Sequence, residues 1–191
     1  MINIQWRALK STKDIIISHL KMYLNNEDNY KHVVPSQLDV EDIKSADVFD
    51  VEPEELRQFP MVIITGGNGN MVTSGLGDMA HEKYDPSTLE LIAYRYGGIY
   101  QFNLTIDIVT KSTLMREFMS DLITKALRFD IRRQMESKGV LVTSMNYNGE
   151  TSGTYDSNHI YLTSISLSTW SEWYEDRELL PNGGVGVRYD Q

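Results

Sequence analysis

The sequence predicts a single α+β domain, a mostly antiparallel sheet with two helices packed on one face. Three observations carry that expectation. Two segments repeat apolar residues at helical spacing, one long segment alternates apolar and polar residues at strand spacing, and glycine-bearing breaks set off further strand-like segments. A chain of 191 residues, 41% hydrophobic and 24% charged, is long enough to bury a core and too apolar to stay unfolded.

Ser11-Thr12-Lys13-Asp14 has the Ser-x-x-acid form of a helix cap, and Ile16, Leu20, Tyr23 and Leu24 then share one side. That spacing predicts a short amphipathic helix from Thr12 to Leu24. From Glu27 to Arg57 the chain carries ten acidic residues against Lys31, Lys44 and Arg57, so most of the net charge of −9 sits there. With Pro35 and Pro53 inside it, this stretch reads as a solvated acidic insertion, about 27–57. Phe59-Pro60-Met61-Val62-Ile63-Ile64-Thr65 reads as a buried central strand led by proline, where a missing ladder donor does least harm. Gly66-Gly67-Asn68-Gly69-Asn70 and Ser74-Gly75-Leu76-Gly77 read as one loop.

Leu89 to Tyr96 reads as a strand and Gly97-Gly98 as a turn, after which Tyr100, Phe102, Leu104, Ile106 and Ile108 alternate with polar residues. Together these predict a hairpin. Ser112 or Thr113 caps the next helix, where Met115, Phe118, Met119, Leu122, Ile123, Ala126 and Leu127 form an apolar stripe. Arg116, Glu117, Asp121, Lys125 and Arg128 fall on its wet side, and Gly139 is the stop signal. Val140 to Tyr147 and His159 to Thr169 form a second hairpin through Asn148-Gly149 and Ser152-Gly153. In its last strand Thr163, Ile165 and Leu167 line one side while Ser164, Ser166 and Ser168 line the other. That hydroxyl side faces solvent, a neighbouring subunit or an aqueous channel. Trp170 to Gln191 reads as an extended C-terminal arm, whose Trp170, Trp173 and Tyr174 either close over the protein's own core or dock on a neighbour.

No motif carries chemistry. Without cysteine there is no disulfide, thiolate zinc site or cysteine nucleophile, which fits a reducing compartment. The glycine-rich stretch Gly66 to Gly77 has no lysine and no Gly-Lys-Ser/Thr with which to cradle phosphate. His81-Glu82 opens like a zinc-protease helix, yet Asp85 stands where the second histidine belongs and Pro86 would break the helix. The remaining histidines, His19, His32 and His159, are scattered singly. Ser74 and Ser152 lie outside any Gly-x-Ser-x-Gly turn, and the acidic stretch lacks a calcium-loop pattern. No catalytic, cofactor-binding or metal-binding residue is therefore expected. The charge of −9 argues against a surface that grips nucleic-acid phosphates, and the longest apolar run, Met61 to Ile64, is far too short to cross a membrane. The first residues show no signal-peptide pattern.

In this order the elements resemble the tail terminator, or tail completion, proteins of long-tailed bacteriophages. The features that match are the N-terminal amphipathic helix, the proline-led strand Phe59-Pro60-Met61-Val62-Ile63-Ile64 and the alternating strand Tyr100 to Thr110. The helix Thr113 to Met135 and the hairpin ending in Leu162-Thr163-Ser164-Ile165-Ser166-Leu167 complete them. The resemblance covers about Ser11 to Leu24 and Gln58 to Trp173. It implies a structural virion protein and no enzyme, without cofactor, made in the host cytoplasm and placed at the head–tail junction. The implied assembly is a homo-oligomeric ring, commonly a hexamer, that ends the tail tube and meets the head-side connector, with duplex DNA only passing through its lumen. Such a ring needs head-to-tail contacts between different patches of one chain. Candidates are the charged helix side with Arg116, Arg128, Arg132 and Arg133, the acidic insertion, and the aromatics Trp170, Trp173 and Tyr174. Two alternatives stand beside it: a head completion or other neck protein, and a hydrolase or metal-dependent enzyme built from the glycine-rich stretch and the carboxylates.

Overall fold

Helix α1, Ile4–Asn25, carries the predicted apolar stripe but begins ahead of the Ser11 cap, so Thr12 is an interior residue. Its hydroxyl donates to the Ala8 carbonyl at 2.6 Å and to Ser171 Oγ at 2.7 Å, which satisfies a buried polar group and ties the helix to the sheet. The computed structural model describes residues 4–50, 59–72, 79–155, 158–179 and 185–188. After α1 come a 3₁₀ turn at Glu27–Asn29, helix α2 at Val40–Lys44 and strand β1 at Asp47–Phe49. Strands β2 (Met61–Val72), β3 (Met79–Tyr84) and β4 (Leu91–Thr110) follow. Helix α3 (Thr113–Lys125), a π-helical turn (Ala126–Asp130) and helix α4 (Arg132–Glu136) lead into β5 (Val140–Tyr155), β6 (Asn158–Leu179) and β7 (Val185–Arg188).

The fold is α+β. One mixed, mostly antiparallel sheet runs in the order β1-β2-β4-β6-β5, with β3 beside β4 and β7 beside β6. Its spine is the β4–β6 pair, continuous from Ala93↔Glu178 to Thr110↔Tyr161 and about 60 Å long at ~3.4 Å per residue. Among the described strands only β1 runs parallel to its neighbour, with Val48 opposite Val62.

Strand alternation sends Val62, Ile64, Phe102, Leu104, Ile106, Ile108, Ile165 and Leu167 to the face that α1 and α3 cover. There they meet Ile16, Leu20 and Leu24 of α1 and Met119, Leu122 and Ile123 of α3, in one core whose large side chains each contribute about 1.5–3 kcal/mol by burial. Both helices therefore pack on one face. On the opposite face Met61, Ile63 and Val109 form a small second cluster with Phe49, Phe59, Ile160 and Leu162.

Five local expectations give way, one of them the loop at Asn148-Gly149 and Ser152-Gly153, because β5 runs through those residues to Tyr155 with only a register shift between Tyr147 and Glu150. Between Glu27 and Asp50 the acidic stretch is anchored rather than fully solvated: Tyr30, Ile43, Ala46 and Val48 are buried in the main core and β1 extends the sheet, while residues 51–57 lie outside the described residues. Gly97-Gly98 is no turn, because β4 runs straight through it. A Cβ on Gly97 would lie 2.5 Å from Tyr174 Cδ1 and 2.8 Å from the Trp173 carbonyl, and one on Gly98 would lie 3.0 Å from Trp173 Nε1. Close packing of β6 is what glycine serves there. Gly66 to Val72 belong to β2, with a register shift between Gly66 and Asn68, while residues 73–78 of the expected loop lie outside the described residues. Trp170 to Leu179 are the second half of β6 and no separate arm, and residues 180–184 and 189–191 lie outside the described residues. Gly139 does stop the helical segment, at φ +80°.

Candidate functional site

Sequence reasoning placed four arginines on one wet helix face, and the structure separates them. Arg116 is only 5% exposed. Its guanidinium pairs with Glu150 of β5, lies 3.6 Å from Glu117 and sits over the Tyr161 ring. Glu150 in turn accepts from the Tyr147 hydroxyl at 2.8 Å, and burial, then the Glu150 contacts, push the Tyr147 phenol above its ordinary pKa. Arg116 thus joins α3 to β5, and it is corrected from contact residue to internal tie.

Arg128, Arg132 and Arg133 are exposed. The π turn, with Ile131 N donating to the Ala126 carbonyl at 2.9 Å, keeps Leu127 and Ile131 in the core while Arg128, Phe129 and Asp130 stay outside. Asp130 is spent internally: it accepts from the Tyr23 hydroxyl at 2.7 Å and lies 3.3 Å from Lys125 Nζ. Arg132 pairs with Glu136 at 2.7 Å, but among the described residues no acid lies within ion-pairing distance of Arg128 or Arg133. Arg128 and Arg132 overhang an open pocket of about 290 Å³ between this helical segment and β5, whose polar lining includes Thr124, Thr143, Ser144 and Tyr147. Apart from Thr124 of α3, those residues come from β5, and their approach to the arginines is a tertiary contact that no local spacing announces.

At the β1 end of the sheet, α2, β1 and the residues that flank them carry Asp39, Glu41, Asp42, Asp47 and Asp50 against Lys44. Asp39 caps α2 by accepting from Glu41 N at 3.0 Å, which fixes this acidic turn to the core through Ile43. Strands β1 and β5 are the two ends of the strand order, so the acidic segment that runs into β1 and the basic segment that runs into β5 lie toward opposite margins of the sheet.

The aromatic trio also divides. Trp173 faces the core, 6.0 Å from the Tyr100 ring, whereas Trp170 and Tyr174 are 42% and 55% exposed on the helix-free face. That face also carries a ladder of side-chain hydrogen bonds between β4, β6 and β5. Ser168 donates to Asn103 Oδ1 at 2.9 Å, Asn148 donates to Ser166 Oγ at 2.6 Å, and Ser164 donates to Asp107. The hydroxyl side of β6 is thus a helix-free sheet face whose half-buried serines are hydrogen-bonded to side chains of the neighbouring strands.

The chain matches no protein-family model and no curated protein. Among the described residues, no helix is long and apolar enough to cross a membrane, and no group of three or more His, Asp or Glu side chains is placed to hold a metal ion.

Proposed function

We propose that this protein is a structural virion component of a long-tailed bacteriophage, a ring of identical copies that terminates the tail tube and meets the head-side connector. One observation carries the reading: a single sheet with helices on one face bears a basic segment over one margin and an acidic segment over the other. Five adjacent strands place those margins about 19 Å apart at ~4.8 Å per strand. Identical copies that meet margin to margin use two different patches, the head-to-tail geometry that closes into a ring when the rotation permits. Opposite charge on the two patches steers the encounter and sets its register. The resemblance in element order to tail terminator proteins supplies the place in the particle, and duplex DNA is a passenger in the lumen.

Cross-linking in assembled particles tests the placement. A terminator cross-links to the tail tube protein and caps isolated tubes. Cross-links confined to the portal side would make it a head completion or other neck protein, and absence of cross-links to either would remove the virion reading.

A further inference from the structure

Resting on the ring reading, we infer that the pocket beneath Arg128 and Arg132 is the seat for the acidic α2–β1 segment of a second copy of this chain. Three observations converge on it. First, the pocket has a cation to spare: Arg132 is paired with Glu136, but Arg128 has no acid within reach among the described residues, and Asp130, the nearest acid in sequence, is turned toward Tyr23 and Lys125. Its lining adds the hydroxyls of Thr124 and Ser144 as donors to a carboxylate, while the Thr143 hydroxyl already donates to the Ser168 carbonyl at 3.0 Å. Second, the occupant is built to be presented. Glu41 and Asp42 are exposed on a turn whose Ile43 is fully buried, so the carboxylates project from an anchored element. Glu41 is engaged only by Lys44 at 3.5 Å, and Asp42 carries no ion pair among the described residues. Third, the two segments adjoin the two outermost strands. The chain runs from α2 into β1 at one end of the strand order, and the pocket is lined by Val142 to Tyr147 of β5 at the other. The register sets β1 level with Glu150 of β5, so copies placed edge to edge with a shift of about 10–15 Å along the strands bring the β1 margin of one beside the pocket of the next. Neither β1 nor β5 has a further strand on its outer side among the described residues. Each copy keeps one margin of each kind, so the contact propagates until the ring closes.

Sedimentation of the full-length protein over a concentration series tests this with charge reversals at exposed positions. The double variant Arg128→Glu/Arg132→Glu is expected to raise the dissociation constant of the assembly at least about tenfold, and Glu41→Lys/Asp42→Lys to do the same. Each variant keeps the margin the other has lost, so mixing the two in equal amounts restores an alternating assembly. Melting curves of both variants, and the milder Arg128→Gln/Arg132→Gln, verify that the monomer remains folded. Oligomers indifferent to both reversals, or a loss that the mixture does not rescue in folded variants, would overturn this interface while leaving the ring standing. A wild-type chain that never associates, alone or with tail tubes, would overturn both.

Discussion

Removal of Trp173 separates two roles that the chain's aromatics share. Its indole packs against Tyr100 and beside Gly98 on the helical side of β6, while its Nε1 is buried without a hydrogen-bond partner among the described residues. Trp→Ala in a core costs about 3–5 kcal/mol through lost burial and the cavity left behind. Trp173 is half-buried and its unpaired N–H already offsets part of that gain, so Trp173→Ala is expected at the low end, about 3 kcal/mol. Trp173→Phe keeps the ring and removes the unpaired donor, and should cost less than about 1.5 kcal/mol. Trp170→Ala removes an exposed ring and should stay within about 1 kcal/mol. Urea unfolding followed by circular dichroism reads all three as shifts in midpoint at constant slope. Equal shifts for Trp170→Ala and Trp173→Ala, or a Trp173→Phe cost as large as that of Trp173→Ala, would refute the assignment of Trp173 to the core.

Gly97→Ala should destabilise by about 1–3 kcal/mol, because the new methyl meets a backbone carbonyl that cannot give way. Gly153→Ala, with nothing within 4 Å, should stay within about 0.5 kcal/mol, and thermal melts of the pair that coincide would contradict the close approach. Arg116→Ala should cost about 2 kcal/mol, below the range for a fully buried pair because Glu150 is exposed, and should leave association of the folded protein unchanged. Lost association with an unchanged urea midpoint would put Arg116 back on the contact surface. Burial, then the Glu27 and Glu41 carboxylates, push the Tyr30 phenol up to about 12, so the neutral form is favoured in the folded state. Its contribution, about 3 kcal/mol, is fully present below pH 10 and lost as pH rises from 10 to 12. Tyr30→Phe should flatten the fall of stability over that window, and parallel curves for the two proteins would argue against it.

Much of this architecture is legible in the sequence where one face of one element decides it. The stripe from Met115 to Leu127 is buried as its spacing predicts, apart from the half-buried Phe118, and Ser112 caps α3 by accepting from Met115 N at 3.4 Å. The alternation from Tyr100 to Ile108 fixes the core face of β4. Partners distant in sequence are harder to read. Arg116 stands at the border of its stripe, and only the approach of Glu150 from β5 draws it inward. Tyr30, Ile43 and Val48 lie in an acidic stretch with no regular period, so nothing local announces that they reach the core. Gly97-Gly98 carries a strong turn signal because glycine serves turns and close strand approach alike. The division of the aromatics was present in the alternation of β6: Ile165, Leu167 and Thr169 lead to Trp173 on the core side, and Ser166 and Ser168 lead to Trp170 and Tyr174 on the other. Ending the strand at Thr169 hid it.

Self-association is the property on which the proposed role depends. Native mass spectrometry of the purified full-length chain over a range of concentrations measures it directly, first alone and then with tail tubes from the same virion. A ring-forming terminator gives one closed multiple of the 21.9 kDa chain that binds tube ends. A single 21.9 kDa species at every concentration, leaving the tube ends bare, would contradict it.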